Sequence, residues 1–191
     1  MTSVPAAITD LPDAPLGEGP LATQLRARGL SSFHGACAHV EALPYGRASS
    51  WASVLDEGRG TCNSKHALVV MLARELGLVG VELGLGLFEL SGEGFPGVAR
   101  VLEHAKLPCM LEAHCYVRYG DRRVDLTWPR EQGIAAPRIL SETTIDPREL
   151  PTIKLDHHRR ALARWLVERD ISLSLDEAWA IREACIAAMS T

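Results

Sequence analysis

Two runs, LEAHCYVRY (111–119) and RRVDLTW (122–128), are separated by the pair Gly120-Asp121. This pair constrains the fold more than any other feature of the chain. Glycine takes the positive φ required at the first position of a type II′ turn, so the runs read as the two strands of an antiparallel hairpin. With Gly120 and Asp121 as the loop, Tyr119 faces Arg122, Tyr116 faces Asp125 and His114 faces Thr127. Directly opposed residues share a face and side chains alternate along each strand. His114, Tyr116, Asp125 and Thr127 are therefore expected on one face, and Cys115, Val117, Val124 and Leu126 on the other. The second set is apolar and reads as core. The first makes an imidazole and a carboxylate diagonal neighbours at a backbone spacing of about 7 Å, within side-chain reach. A bulge in either strand would shift this register.

The segments around the hairpin set the fold class. VELGLGLFEL (81–90) alternates in the period of a strand, and SGEGFPG (91–97) reads as a loop. Helices are expected over 21–28, stopped by Gly29; from Ser31 or Ser32 to about Leu43, where Pro44-Tyr45-Gly46 interrupts; and as a short turn over 50–57. The best-marked helix follows GRGT, with Thr61 as N-cap, good helix formers from Lys65 to Leu76, and Gly77 just beyond the end. Further helices are expected over 98–105, 155–169 and 175–189, the last opened by the capping box formed by Ser174 and Glu177. The pattern is α+β, with helices flanking a small antiparallel sheet. Residues 1–20, with four prolines and two glycines, read as an extended arm, and 21–191 as a single domain. The chain has 191 residues, 47% of them hydrophobic, enough for one ordinary core.

Charge and composition exclude several function classes. The net charge is −4, and the basic residues are dispersed apart from His157-His158-Arg159-Arg160, so there is no cationic footprint for nucleic acid. The N-terminus lacks the basic and apolar regions of a signal peptide, and no apolar run approaches the roughly 18 residues of a membrane span. A cytoplasmic location is expected. The five cysteines, at 37, 62, 109, 115 and 185, form no CxxC pair and suit reduced thiols better than a disulfide framework. No cofactor or bound metal is expected.

Cys62 opens the best-marked helix. The free N–H groups and positive dipole end of a helix start favour thiolate over thiol. With the hairpin pair, a chemically complete set results: Cys62 as nucleophile, His114 as the base that takes its proton, and Asp125 orienting the imidazole. Backbone amides of the first turn, that of Cys62 included, are candidates to hold an oxyanion. Other residues read as structural. His66 is a packed or capping histidine, Cys115 belongs to the core, and Cys37, Cys109 and Cys185 are packing residues. His157 to Arg160 form a solvated helix start, and Lys65 and Arg47 are surface salt-bridge partners unless they meet a substrate carboxylate. Gly84 and Gly86 mark either a close backbone approach or a bulge.

The segments GTCNSKHALVVMLAREL and EAHCYVRYGDRRVDLT, with the order Cys, His, Asp, resemble the transglutaminase-like cysteine enzymes over roughly residues 40–130. LPYGRASSWASVLDEGRGTCNSKHA is similar to a bacterial subgroup of small members. The resemblance implies a papain-like α+β fold and thiol-dependent acyl chemistry on an amide, thioester or ester through a thioester intermediate, ending in hydrolysis or in transfer to an amine. It implies Cys62, His114 and Asp125 as the triad. Trp51 and Tyr45 are candidates for the upstream aromatic that stabilises an oxyanion in some relatives, and Asn63 is a further substrate or oxyanion candidate. Nothing resembles the calcium sites of the large animal transglutaminases. The expected partner is a peptide, amide or small-molecule acyl substrate. Two other readings are a zinc site built from Cys62, His66, His114 and Cys115, and the same fold kept as a non-catalytic interaction module. Substrate walls fall in loops such as 91–97 and 128–148, which follow no readable code.

Overall fold

The computed structural model describes residues 6–129, 132, 134 and 136–189. Among these residues the fold is α+β: seven helices and one four-stranded antiparallel sheet. The elements are a 3-10 turn at Ile8–Asp10, α1 (Pro20–Arg26), α2 (Phe33–Ala42), α3 (Val54–Glu57), α4 (Cys62–Glu75), β1 (Val81–Leu90), α5 (Pro96–His104), β2 (Met110–Tyr119), β3 (Arg122–Val124), β4 (Ser141–Ile145), α6 (Leu150–Glu168) and α7 (Leu175–Ala188). The strands lie in the order β3-β2-β1-β4.

The chain divides into two compact units. Of the described residues, the first comprises those within 6–85, 115–136 and 143–150, and the second those within 86–114, 137–142 and 151–189. In the first, α4 packs with α1, α2 and α3. Its residues Ala67, Leu68, Val69, Val70, Leu72 and Ala73 are all buried, so this helix is covered on nearly every side. Phe33, Ala36, Cys37 and Val40 of α2 complete that core. The 3-10 turn packs with α2 and β3, and Leu11 and Leu16 after it are buried. Helix α1 starts at Gly19 without a side-chain cap of its own. Its open N–H groups are met by the far end of α4, where Glu75 accepts from Leu21 (3.1 Å) and Ala22 (2.8 Å). A Cβ on Gly19 would stand 2.1 Å from that carboxyl carbon, which is why glycine occupies the position.

In the second unit α5 packs with α7. The buried carboxylate of Glu112 receives two bonds from Arg182 (2.6 and 2.7 Å), and His158, also buried, donates from Nε2 to the carbonyl of Leu111 (2.9 Å). The run from His157 to Arg160 is thus not a wholly solvated helix start, because helical spacing turns His158 inward while Arg160 stays exposed. Helix α6 begins at Leu150, earlier than the apolar pattern predicts. Pro151, lacking an N–H, costs nothing in a first helical turn.

The hairpin has the expected turn and register. Gly120 has φ +60° and Asp121 has no positive φ, as a type II′ turn requires, and Tyr119, Arg118 and Val117 pair with Arg122, Arg123 and Val124. The ladder then stops, three residues short of the Thr127 pairing that the sequence suggests. Past Val124 the backbone donors go elsewhere: Leu126 N–H to His66 Nε2 (2.7 Å) and Thr127 N–H to Asp125 Oδ1 (2.9 Å). Cys115, Val117, Val124 and Leu126 are buried, as expected. Tyr116 is buried too, and its ring lies where a Cβ on Gly84 would be, 2.3 Å from Cε2. The glycine in β1 therefore makes room for an aromatic ring, not for a neighbouring backbone. This covers β1 on both faces from Leu83 to Leu87, where alternation alone predicts one polar face. Strand β4 lies in a segment read as loop. Its Thr143-Thr144-Ile145 run is β-prone, and the N–H of the preceding Leu140 bonds to Leu87 O (2.8 Å).

Candidate active site at the start of helix α4

Cys62 is the first residue of α4, after Thr61 as N-cap. Ser64 Oγ accepts from Thr61 N–H (3.0 Å), closing the first turn from its third position, where Glu or Gln would be the commoner choice. The thiol is partly exposed and donates to Asn63 Oδ1 at 3.3 Å. Asn63 thus lies against the Cys62 sulfur.

His66, one turn further on, is fully buried and both its ring nitrogens meet backbone groups. Nδ1 donates to the carbonyl of Cys62 (2.6 Å), and Nε2 accepts from Leu126 N–H (2.7 Å). A nitrogen that accepts from an N–H carries no proton, so the ring is the neutral Nδ1–H tautomer. Asp125 Oδ1 stands 3.5 Å from the same Nε2 and is held by Thr127, through its N–H (2.9 Å) and its hydroxyl (2.6 Å). One imidazole therefore joins the first turn of α4, which carries Cys62, to the segment that carries Asp125. The packed role expected for His66 is the one found.

Lys65 departs from expectation. It is fully buried, and its ammonium donates to three main-chain carbonyls: Glu41 (3.2 Å), Leu43 (2.6 Å) and Thr127 (2.9 Å). It is neither a surface salt-bridge partner nor a residue open to substrate. The first two carbonyls belong to the end of α2, where the helix dipole is negative. Burial lowers its pKa to about 8, against Asp125, Glu41 and Cys62, whose charges favour the ammonium. Its stem passes beneath Gly60, where a Cβ would lie 2.8 Å from Lys65 Cγ. A lysine followed by a histidine inside an otherwise apolar helix was the signal available in the sequence.

Tyr45 is attached to the approach to Cys62 by a parallel bridge to Gly60, with Gly46 N–H to Gly60 O (3.3 Å) and Gly60 N–H to Pro44 O (3.1 Å). Its ring stacks on Trp128, centroids 4.4 Å apart and planes 20° apart. Sequence reading missed Trp128, which lies one residue beyond the Thr127 carbonyl held by Lys65. Trp51 lies in the turn before α3, partly exposed. His114 lies on β2 in the second unit, partly exposed, with Phe88 edge-on to its ring (6.0 Å between centroids, 78°).

Of the residues in the alternative zinc reading, His66 has both nitrogens on backbone groups, and Cys115 is buried. Among the described residues no three His, Cys, Asp or Glu side chains gather in a metal-binding group, and no helix is long and apolar enough to cross a membrane.

Comparison with protein-family models, with curated proteins and with solved structures gave no match.

Proposed function

We propose that the protein is a cysteine-dependent acyl-transfer enzyme that acts on an amide, ester or thioester through Cys62, with His114 as base and Asp125 as the carboxylate that orients it. The observation that carries this reading is the position of Cys62: a partly exposed thiol at the first position of a 14-residue helix, joined through His66 to the segment of Asp125. The helix start favours the thiolate and supplies N–H groups for an oxyanion. His66 has both nitrogens on backbone groups, and this reading therefore assigns the base to His114, the imidazole the hairpin carries.

The proton of Cys62 passes to the imidazole, and Sγ attacks the carbonyl carbon. The tetrahedral oxyanion collapses and expels the amine, alcohol or thiol, which takes the proton from the imidazolium and leaves a thioester on Sγ. Water, or a second amine, then attacks that thioester and gives its proton to the imidazole. The C–S bond breaks and the thiol re-forms. Asn63, whose oxygen accepts from the thiol, offers its NH2 to a thiolate once the amide turns over.

The test is a panel of amide, ester and thioester donors incubated with the protein and read by intact mass, with peptide mapping of any adduct. An acyl adduct on Cys62, absent from Cys62→Ala, is expected. A folded protein that gives no adduct with any donor, or an adduct that persists in Cys62→Ala, overturns the reading.

A further inference from the structure

Lys65 stands out among the buried ionisable groups, because among the described residues its ammonium donates to neutral acceptors, three main-chain carbonyls at 2.6 to 3.2 Å. A buried cation without a bonded counter-charge is costly, and such groups are kept where a negative charge forms close by. The charges that face it are Asp125 on the segment after β3, Glu41 on α2 and Cys62 on its own helix, with the neutral ring of His66 adjacent in sequence. Each of these charges favours the ammonium, and electrostatic coupling is reciprocal, so the ammonium favours the thiolate of Cys62 and the carboxylate of Asp125 in return.

The same side chain has a mechanical role. Lys65 holds the carbonyl of Thr127 while His66 holds the N–H of Leu126, so consecutive residues of α4 grip consecutive residues of the segment just past Asp125. Thr127 in turn fixes the Asp125 carboxylate. Gly60, two residues before Cys62, leaves space for the lysine stem.

We propose that Lys65 is a positioning residue for Cys62, a buried cation that favours the thiolate form of the sulfur and locks the Asp125 segment against the first turn of α4. This rests on the reading of Cys62 as a nucleophile, but it concerns the ionisation of the sulfur, which is measurable without any substrate.

The experiment is a rate-versus-pH series of iodoacetamide labelling at Cys62 for wild type, Lys65→Met and Lys65→Arg, each first shown to be folded by circular dichroism and a melting curve. Lys65→Met is expected to move the profile up by about one pH unit, an about tenfold slower reaction on the rising limb. Lys65→Arg, which keeps charge and donors, is expected to return most of that shift. A purely structural lysine would alter the melting curve and leave the profile in place. The second measurement keeps Lys65 native: the side-chain NMR titration of Lys65 in wild type and in Cys62→Ala. With the thiolate gone, the Lys65 midpoint is expected to fall. A folded Lys65→Met with the wild-type labelling profile overturns the proposal, as does an unmoved Lys65 midpoint in Cys62→Ala. A coupled Cys62 that forms no acyl adduct with any donor would defeat the enzymatic reading and leave this inference standing.

Discussion

The surroundings of a thiol set its reactivity, and the five cysteines of this chain occupy very different ones. Cys37, Cys115 and Cys185 are buried. Burial drives the Cys37 pKa up, helped by Asp13 and Glu41, and raises that of Cys185 to about 11. Cys109 is partly exposed, and burial together with Glu89 raises it as well. Cys62 alone of the five begins a helix. It is expected to be alkylated by iodoacetamide well below pH 8.5, about the value of a free thiol, and faster than the other four. Peptide mapping after brief labelling at pH 7 checks this, and dominant labelling at Cys109 would count against it. Asp125 carries the second residue-scale prediction. Its carboxylate is anchored by Thr127, so Asp125→Asn is expected to fold normally and to lose about two to four orders of magnitude in turnover, the amide being unable to support a charged imidazole. The measurement is kcat on whichever donor acylates Cys62, beside a melting curve. Near-normal turnover in a folded variant would remove the assigned role.

Among the elements, β3 shows how a side chain can end a strand. The turn at Gly120 and the pairing of Val117 with Val124 follow from residue types a few positions apart, and both were legible in the sequence. The stop after Val124 was not, because it depends on His66, sixty residues earlier in the chain, presenting Nε2 to Leu126 N–H. Gly84 shows the same limit. The sequence marks a glycine in a strand but does not say what fills the space, which is the ring of Tyr116. Gly84→Ala is expected to destabilise the protein by about 1–3 kcal/mol through overpacking, read as a lower urea midpoint with an unchanged slope. Helix α7 is the opposite case, since its start was readable from local sequence. Ser174 Oγ accepts from Glu177 N–H (3.3 Å) while Glu177 accepts from Ser174 N–H (2.8 Å). Ser174→Ala is expected to cost about 1 kcal/mol in the same denaturation experiment.

Across the whole molecule, each unit contains a buried charged group with a different arrangement. Lys65, with neutral acceptors, is one in the first; Glu112, paired with Arg182, is one in the second. Burial alone would raise the pKa of Glu112, but the two bonds and the charge of Arg182 outweigh it, and the carboxyl is held below its usual value. A depressed carboxylate adds stability above its unfolded pKa of about 4.5, and this is lost as pH falls through the folded value. His158 acts in the same direction. Burial lowers its pKa below 6.5, although Glu112 and the Leu111 carbonyl oppose the shift. The unfolded chain therefore binds the extra proton first as pH drops below 6.5, and stability falls with it. Urea midpoints measured from pH 7.5 to 4 are expected to decline from about pH 6.5 downward, and a flat profile would contradict these assignments. Glu112→Gln replaces the buried carboxylate partner of Arg182 by a neutral amide, Glu183 remaining on the same guanidinium (2.5 Å), and is expected to cost about 1.5–3 kcal/mol at pH 7.

What the sequence by itself determined is local and periodic: the helix that Cys62 opens, the cap of α7, the glycine turn, and the inward face of Cys115, Val117, Val124 and Leu126. Each is fixed by residues within one turn or one strand length, where propensity and alternation act directly. The tertiary structure decided which long-range partners the polar groups inside α4 found. Lys65 could have been a surface lysine and His66 a plain packed ring. Apart from the Cys62 carbonyl one turn away, their partners are carbonyls and an N–H 22 to 62 positions away, at the end of α2 and past the end of β3. Hydrogen bonds to backbone atoms have no residue-type code, because every residue but proline offers the same N–H and C=O. Chain packing alone selects which of them a buried ammonium or imidazole meets.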